Sequence, residues 1–154
     1  MSSLQLTDFR VFPRHVGIWE GDWTVLDANC QVVQRFAGRL TQQIVDNQWV
    51  QTNEHTYTDG RQDVQRFIGT IVSAGQLQIE SPDPPFNQFK ALAEEQGDRL
   101  ILFKVWNKQS GVLQAIELIN LMSDTTRIRT TQSYTPEGTL KGVMVITEQK
   151  IADG

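Results

Sequence analysis

The sequence predicts an all-β protein, a single up-and-down antiparallel β-barrel of about ten strands with a short N-terminal helical turn closing one end. Three observations support this prediction. Turn-forming residues interrupt the chain at regular intervals, residues between the interruptions alternate with a period of two, and nearly all connections are short. Closing such a sheet into a barrel removes the two exposed edges that an open sheet would have.

Nine clusters of Gly, Pro, Asn, Asp and Ser divide the chain into ten segments. Turns favour these residues, because Gly and Asn accept positive φ and Pro fixes φ at the first central position. The clusters lie at 27–30, 46–47, 59–60, 73–75, 81–85, 96–98, 109–111, 123–125 and 136–138. Segment 89–96 contains Ala, Leu and Glu, which suit a helix, but its short length between two turns favours a strand. A two-sheet sandwich is the alternative, although it usually needs longer connections.

Length and composition indicate one globular domain. The 154 residues are expected to form a single barrel domain over 1–154, with an N-terminal segment at 1–14 and the barrel at 17–151. The net charge of −4 argues against a general nucleic-acid binder, which needs a basic surface. No apolar run suggests a membrane span, the first residues lack a secretory signal pattern, and the single Cys30 cannot form an internal disulfide. A cytoplasmic location is therefore expected.

A tryptophan- and glycine-rich motif opens the first strand. Pro13 suits the first position of a helical turn, and Gly17, Trp19, Gly21 and Trp23 follow it. This Gly-x-Trp-x-Gly-x-Trp opening resembles that of the calycin superfamily, the lipocalin-like barrels. The resemblance implies that a short helix closes one end of the barrel and that the Trp of Gly-x-Trp packs across its base.

Within that superfamily, the chain is most similar to the N-terminal domain of a cyanobacterial lipocalin-like family of unknown function. More distantly it resembles the S/U- and T-type bilin lyases, which carry open-chain tetrapyrroles to phycobiliproteins, and the fatty-acid-binding proteins. Nitrobindin-like haem barrels take a proximal His from near the C-terminus, whereas residues 139–154 contain none. No lyase motif aligns residue by residue, so the resemblance assigns no catalytic residue.

Two arginines share one face of the ninth segment. Arg127 and Arg129 alternate with Ile128 and Thr130. If the arginines point inward, their guanidinium groups could bind a ligand carboxylate bidentately. The apolar residues on the opposite face favour the outward orientation, in which the arginines are simply solvated.

Glu117 is the first candidate for a ligand-binding residue. It shares a face with Ala115 and Ile119, so its carboxylate is expected inside the barrel, where burial is costly unless the group is paired or protonated. Arg66, Arg127 and Arg129 are its possible partners. A structural ion pair between neighbouring strands is the alternative interpretation.

A polar and aromatic face of the third segment is a further candidate pocket wall. It carries Trp49, His55 and Tyr57 together with Gln51 and Asn53, and it could equally face solvent. Trp106 is expected to join the aromatic lining of a cavity, although aromatic residues in a barrel more often belong to its core. The stiff connection at 81–86 is expected at the rim of the open mouth.

The sequence suggests no metal site, no catalytic residue and no resident cofactor. His15 and His55 are the only histidines and lack the close ligand spacing of a zinc site. Cys30 has no nearby base or cation that would activate a thiol. There is no Gly-x-Ser-x-Gly elbow, phosphate loop or dinucleotide fingerprint.

These observations leave three hypotheses for function. The first is a carrier or sensor that binds a small amphipathic molecule with an acidic group, such as a tetrapyrrole, a carotenoid derivative or a lipid. The second is a bilin lyase or chaperone that delivers a tetrapyrrole to a phycobiliprotein. The third is a filled barrel that acts through protein–protein contacts, for example as a homodimer.

Overall fold

The computed structural model of the protein describes residues 3–153 as ten strands and three short 3-10 helices. The strands are β1 (Gly17–Asp27), β2 (Val32–Val45), β3 (Gln48–Tyr57), β4 (Gln62–Ser73), β5 (Gln76–Glu80), β6 (Phe89–Gln96), β7 (Leu100–Asn107), β8 (Leu113–Leu121), β9 (Thr126–Tyr134) and β10 (Leu140–Ala152). The 3-10 helices span Leu6–Asp8, Phe12–His15 and Phe86–Gln88. None of the helices in this described part is long and apolar enough to cross a membrane.

The ten strands form one closed antiparallel barrel, which confirms the predicted fold class. Each strand pairs with its neighbours in sequence, and β1 closes the barrel by pairing with β10. All nine predicted turn clusters fall at the connections between strands. Segment 89–96 is the strand β6, as its length and position predicted.

The N-terminal segment closes one end of the barrel. Its apolar side chains Leu6, Val11 and Phe12 are buried there beside Trp19. Several side chains from the barrel hold this segment in place, and Glu95 and Asn47 are two of them. Glu95 accepts hydrogen bonds from the backbone N–H groups of residues 10, 11 and 12, and Asn47 accepts one from the N–H of Leu6.

The Gly-x-Trp motif locates this closed end, as the superfamily resemblance implied. Trp19 is fully buried, and its Nε1–H donates to the carbonyl oxygen of His15 over 2.9 Å. Gly17 has a φ of +144°, and a Cβ there would lie 2.6 Å from the carbonyl oxygen of Ala152. The first residue of the motif therefore needs to be glycine for both conformational and steric reasons.

Candidate functional site

An unfilled cavity of about 430 Å³ lies inside the barrel, between the closed end and an open mouth. Its mouth is lined by Tyr57, Lys141, Phe86 and Phe89. Phe86 belongs to the 3-10 turn that follows the connection at 81–85, so this connection lies at the rim as expected. Side chains therefore do not fill the barrel completely, in contrast to the filled barrel of the third hypothesis.

The cavity has two chemically different walls. Strands β4–β7 present a mostly apolar wall, consisting of Phe67, Ile79, Ala91, Ala93, Ile101, Phe103 and Val105. Most of the polar lining comes from β2, β3, β8 and β9, and consists of Gln42, Gln51, Asn53, His55, Glu117, Arg127, Arg129, Thr131 and Ser133. The polar and aromatic face of β3 is thus a cavity wall and not a solvent face.

Arg127 and Arg129 point into the barrel, so the outward orientation favoured by their apolar neighbours is wrong. Their exposed fractions are 1% and 3%, whereas Ile128 between them is 37% exposed on the outer surface. Compensating partners make the inward orientation possible. Glu148 approaches both guanidinium groups, with its Oε1 at 2.7 Å from Nε of Arg127 and 3.1 Å from Nε of Arg129.

Each arginine also stacks on a tryptophan of the opening motif. The guanidinium carbon of Arg127 lies 4.1 Å from the ring centroid of Trp19, and that of Arg129 lies 4.7 Å from Trp23. Cation–π contacts of this kind are strongest when the cation is desolvated, as it is here. The two tryptophans of the opening motif therefore help to position Arg127 and Arg129 in the cavity wall, and Trp19 also packs at the closed end of the barrel.

Two glycines leave room for this arrangement. A Cβ on Gly38 would overlap Nε1 of Trp23. A Cβ on Gly21 would overlap the backbone carbonyl oxygen of Thr147 first, and would lie 2.8 Å from Cγ of Glu148. A larger residue at position 38 would therefore displace the indole ring, and one at position 21 would push β1 away from the β10 backbone that carries Glu148.

The buried charges perturb one another. Burial lowers the pKa of Arg127 to about 10, against the raising effect of Glu148. Burial alone would raise the pKa of Glu148, but Arg129 and Arg127 outweigh it, and the net effect lowers this pKa. Both groups are therefore charged at neutral pH and form a buried ion pair, which needs further hydrogen bonds to offset desolvation.

The side chain of Arg127 forms hydrogen bonds with residues near the closed end of the barrel. Its Nη1 lies 2.7 Å from Oε1 of Gln42 and 2.9 Å from Nδ1 of His15. A guanidinium can only donate, so His15 Nδ1 accepts and the His15 ring is neutral with its proton on Nε2. Burial, followed by the charge of Arg127, lowers the pKa of His15 well below its usual value.

Arg129 has more free hydrogen-bonding capacity. Its Nη1 is 4.0 Å from Oε1 of Glu117, which is longer than a hydrogen bond, and its buried Nη2 has no hydrogen-bond partner among residues 3–153. Glu117 lies inside the barrel, as its apolar neighbours predicted, and accepts a hydrogen bond from the Thr131 hydroxyl over 2.7 Å. The Arg129 guanidinium and the Glu117 carboxylate therefore lie close together in the cavity without a hydrogen bond between them.

Near the mouth, Asp63 connects His55 and Tyr57. Its carboxylate oxygens lie 2.8 Å from Nδ1 of His55 and 2.7 Å from the Tyr57 hydroxyl. Burial lowers the pKa of His55, although the hydrogen bond with Asp63 raises it. Burial and the Asp63 contact together raise the pKa of Tyr57 to about 12. This cluster fixes the orientation of both rings in the cavity wall.

Arg66 and Trp106 do not line the cavity, in contrast to their expected roles. Arg66 lies on the outer surface and pairs with Asp83 at 2.8 Å, so it is no partner for Glu117. Trp106 is half-buried on the outer face of β7, because Phe103 and Val105 occupy the inward positions. Residue alternation separates the two faces of a strand but does not say which face is inside.

Sequence reasoning missed Glu148 and Gln42. Glu148 follows Met144 and Ile146 at every second position of β10, so a carboxylate on an otherwise apolar face was a usable signal. Gln42 had no such signal, because its role depends on Arg127 from a distant strand. Cys30 is exposed in the β1–β2 turn. Within residues 3–153, no cluster of His, Cys, Asp and Glu side chains could hold a metal ion.

Comparisons with known proteins fit this architecture. A family model described as "Domain of unknown function (DUF3598), N-terminal" matches residues 5–152. A solved structure of a protein with unknown function from the DUF3598 family of Nostoc punctiforme is similar at 15% identity and a TM-score of 0.65, and covers 91% of this chain and 49% of that chain. The present chain thus spans about half the length of the Nostoc protein. No curated protein matches the sequence.

A second solved structure is similar over nearly the full length of both chains. It is the S-type phycobiliprotein lyase CPES from Guillardia theta, with 11% identity, a TM-score of 0.66, and coverage of 90% of this chain and 89% of that chain. At this level of identity the similarity shows a common fold.

Proposed function

The chain belongs to the DUF3598 family and matches its N-terminal domain over residues 5–152, and as its function we propose the binding of a small amphipathic molecule with an acidic group inside the barrel. The observation that carries this proposal is the division of the cavity into a cationic polar wall and an apolar wall. A volume of about 430 Å³ is in the range of small-molecule sites.

The acidic group of the ligand would bind Arg129. Arg127 hydrogen-bonds with Glu148, His15 and Gln42 through Nε and Nη1, and only its Nη2 lacks a partner within residues 3–153. Arg129 makes no hydrogen bond there, and both its Nε and its Nη2 lack a hydrogen-bond partner. A carboxylate has the geometry that a guanidinium group binds best. The apolar part of the ligand would lie along β4–β7 and leave the barrel through the mouth.

Replacing Arg129 tests this proposal. The probe is cis-parinaric acid, a polyene fatty acid whose fluorescence rises in an apolar site. We expect Arg129→Gln to weaken its binding by about tenfold or more, because a charge-assisted hydrogen bond is lost. Arg66→Gln removes an arginine from the outer surface and serves as the matched control, with circular dichroism confirming that both variants fold. Equal affinities of the two variants would contradict the proposed role of Arg129.

The second candidate function is that the barrel binds a bilin and delivers it to a phycobiliprotein. It is supported by the barrel shared with the CPES lyase and by the aromatic rim, where the ring centroids of Phe67 and Phe86 are 5.5 Å apart. Mixing the protein with a free bilin at micromolar concentration should shift the visible absorbance band. An unchanged spectrum would contradict this candidate.

The ligand, whether a tetrapyrrole, a carotenoid or a lipid, is proposed here as cargo and not as a resident cofactor. Contacts with a partner protein, formation of a homodimer and a cytoplasmic location stay predictions from the sequence.

A further inference from the structure

A chain of side-chain hydrogen bonds runs along the polar wall from Arg127 to Asn53. Nη1 of Arg127 lies 2.7 Å from Oε1 of Gln42, and Nε2 of Gln42 lies 2.9 Å from Oε1 of Gln51. Nε2 of Gln51 then lies 2.9 Å from Oδ1 of Asn53. The chain thus connects the closed end of the barrel to the middle of the cavity.

The direction of every bond in this chain is determined by its first member. Arg127 can only donate, so the contacting atom of Gln42 is its carbonyl oxygen. The NH2 group of Gln42 must then donate to Gln51. The NH2 group of Gln51 in turn donates to Asn53, whose oxygen accepts. No other assignment of the amide oxygens and nitrogens satisfies all three contacts.

Trp49 confirms this direction independently. Its indole Nε1 lies 3.0 Å from the same Oε1 of Gln51. An indole N–H can only donate, so the Gln51 atom must be the acceptor oxygen. Two donors from different elements, one on β9 and one on β3, therefore fix the same orientation of the Gln51 amide.

The chain ends in a hydrogen-bond donor. Because the oxygen of Asn53 accepts from Gln51, the Asn53 NH2 group is the free end. Asn53 is 7% exposed and lines the cavity, and residues 3–153 offer this NH2 group no acceptor. Aligned hydrogen bonds polarise one another, so a positively charged start at Arg127 strengthens the final donor.

We propose that Asn53 is a ligand-recognition residue whose Nδ2–H donates to an acceptor oxygen of the bound molecule, a carboxylate or carbonyl oxygen. This inference rests on the proposed function and specifies the ligand further. The preferred cargo carries an oxygen acceptor at the polar wall even when it has no negative charge. An apolar molecule without such an acceptor leaves the Asn53 donor unsatisfied, which is costly in a desolvated site.

Asn53→Asp tests this proposal with almost no change of shape. An aspartate still accepts from Gln51, but it presents an acceptor to the ligand in place of a donor. Gln48→Glu is the matched control. Gln48 is exposed at the start of the same strand, so the variant adds the same negative charge outside the cavity and outside the hydrogen-bond chain. The probes are cis-parinaric acid and its uncharged methyl ester.

We expect Asn53→Asp to weaken binding of the methyl ester about fivefold, the effect of one neutral hydrogen bond, while Gln48→Glu changes it less than about twofold. The acid should lose more in Asn53→Asp, because repulsion adds to the lost donor. Equal losses of the ester in the two variants would overturn the role of Asn53. Failure of the wild-type protein to bind either probe would instead contradict the proposed function.

A measurement on the wild-type protein avoids any effect of the substitution on folding. The side-chain amide protons of Asn53 should move downfield in NMR spectra when the methyl ester is added, as a new acceptor draws on them. Those of the exposed Gln48 should not move. Unchanged Asn53 amide shifts at saturating ester would overturn the inference even if the ester binds.

Discussion

At the scale of residues, His15 illustrates how one buried arginine determines the state of its neighbours. Arg127 donates to His15 Nδ1 over 2.9 Å, so the folded protein holds this ring neutral. The same arginine starts the directed amide chain on the polar wall. The inward Arg127 therefore determines both the tautomer of His15 and the orientation of the side-chain amides in the hydrogen-bond chain. Each of these two effects can be tested separately.

The neutral His15 predicts a loss of stability in mild acid. Its pKa is well below the usual value of 6.5 in the folded protein, and near that value in the unfolded chain. Between the two values only the unfolded chain binds the proton, so the free energy of unfolding falls as pH drops below about 6.5. The slope for one proton is at most about 1.4 kcal/mol per pH unit.

Urea denaturation of the wild-type protein and His15→Asn between pH 7.5 and pH 5 measures this slope. The asparagine oxygen keeps an acceptor for Arg127 but does not titrate. His55, whose pKa is also lowered, remains in both proteins and contributes equally. We expect a shallower slope for His15→Asn, and identical slopes would show that His15 binds its proton equally well in the folded and unfolded states.

The sequence predicted some of these residue positions and not others. Glu117 was placed inside correctly, because its neighbours at every second position are apolar. The same reasoning failed for Arg127 and Arg129, whose burial depends on Glu148 and on two tryptophans from distant strands. Alternation also could not show that Trp106 lies outside. Charge pairing between strands decides the orientation of the two arginines, and it is not visible within one strand.

At the scale of elements, the N-terminal segment acts as a lid on the closed end of the barrel. It is too short to form a core of its own, and its attachment depends on Glu95 at the end of β6. This carboxylate accepts from three consecutive backbone N–H groups of the segment, at residues 10, 11 and 12. Such hydrogen bonds to a charged acceptor are stronger than neutral ones.

Glu95→Ala should therefore loosen the N-terminal segment. We expect a loss of about 1–3 kcal/mol in the free energy of unfolding, together with faster hydrogen exchange at the amides of Val11 and Phe12. Glu94→Ala is the matched control, since Glu94 points to the opposite face of the same strand. Unchanged exchange in Glu95→Ala would mean that the remaining contacts of the segment, including its apolar packing and the Asn47 hydrogen bond, hold it without Glu95.

The elements themselves were largely predictable. The nine turns are determined by local chemistry, because Gly, Pro, Asn and Asp have conformational preferences that act within a few residues. Pro13 likewise indicated the helical turn that spans Phe12–His15. The attachment of this segment by Glu95 was not predictable, since the partners are more than 80 residues apart and no local pattern connects them.

At the scale of the whole molecule, the barrel has one closed and one open end. The closed end contains the N-terminal segment, Trp19 and the Arg127 network, and the mouth is lined by Tyr57, Lys141 and the aromatic rim. The proposed ligand would therefore enter from the mouth and extend toward Arg129 and Asn53. The sequence predicted the two ends, but it could not show whether the space between them was filled.

Native mass spectrometry of the protein isolated from the cells that produce it is a direct test of whether the barrel carries a ligand. We expect a non-covalently bound molecule on the chain, released on denaturation and detectable as a negative ion because of its acidic group. Arg66→Gln should retain this mass, and Arg129→Gln should lose most of it. A spectrum showing only the mass of the chain, together with no binding of cis-parinaric acid, would contradict the claim that the barrel carries a ligand.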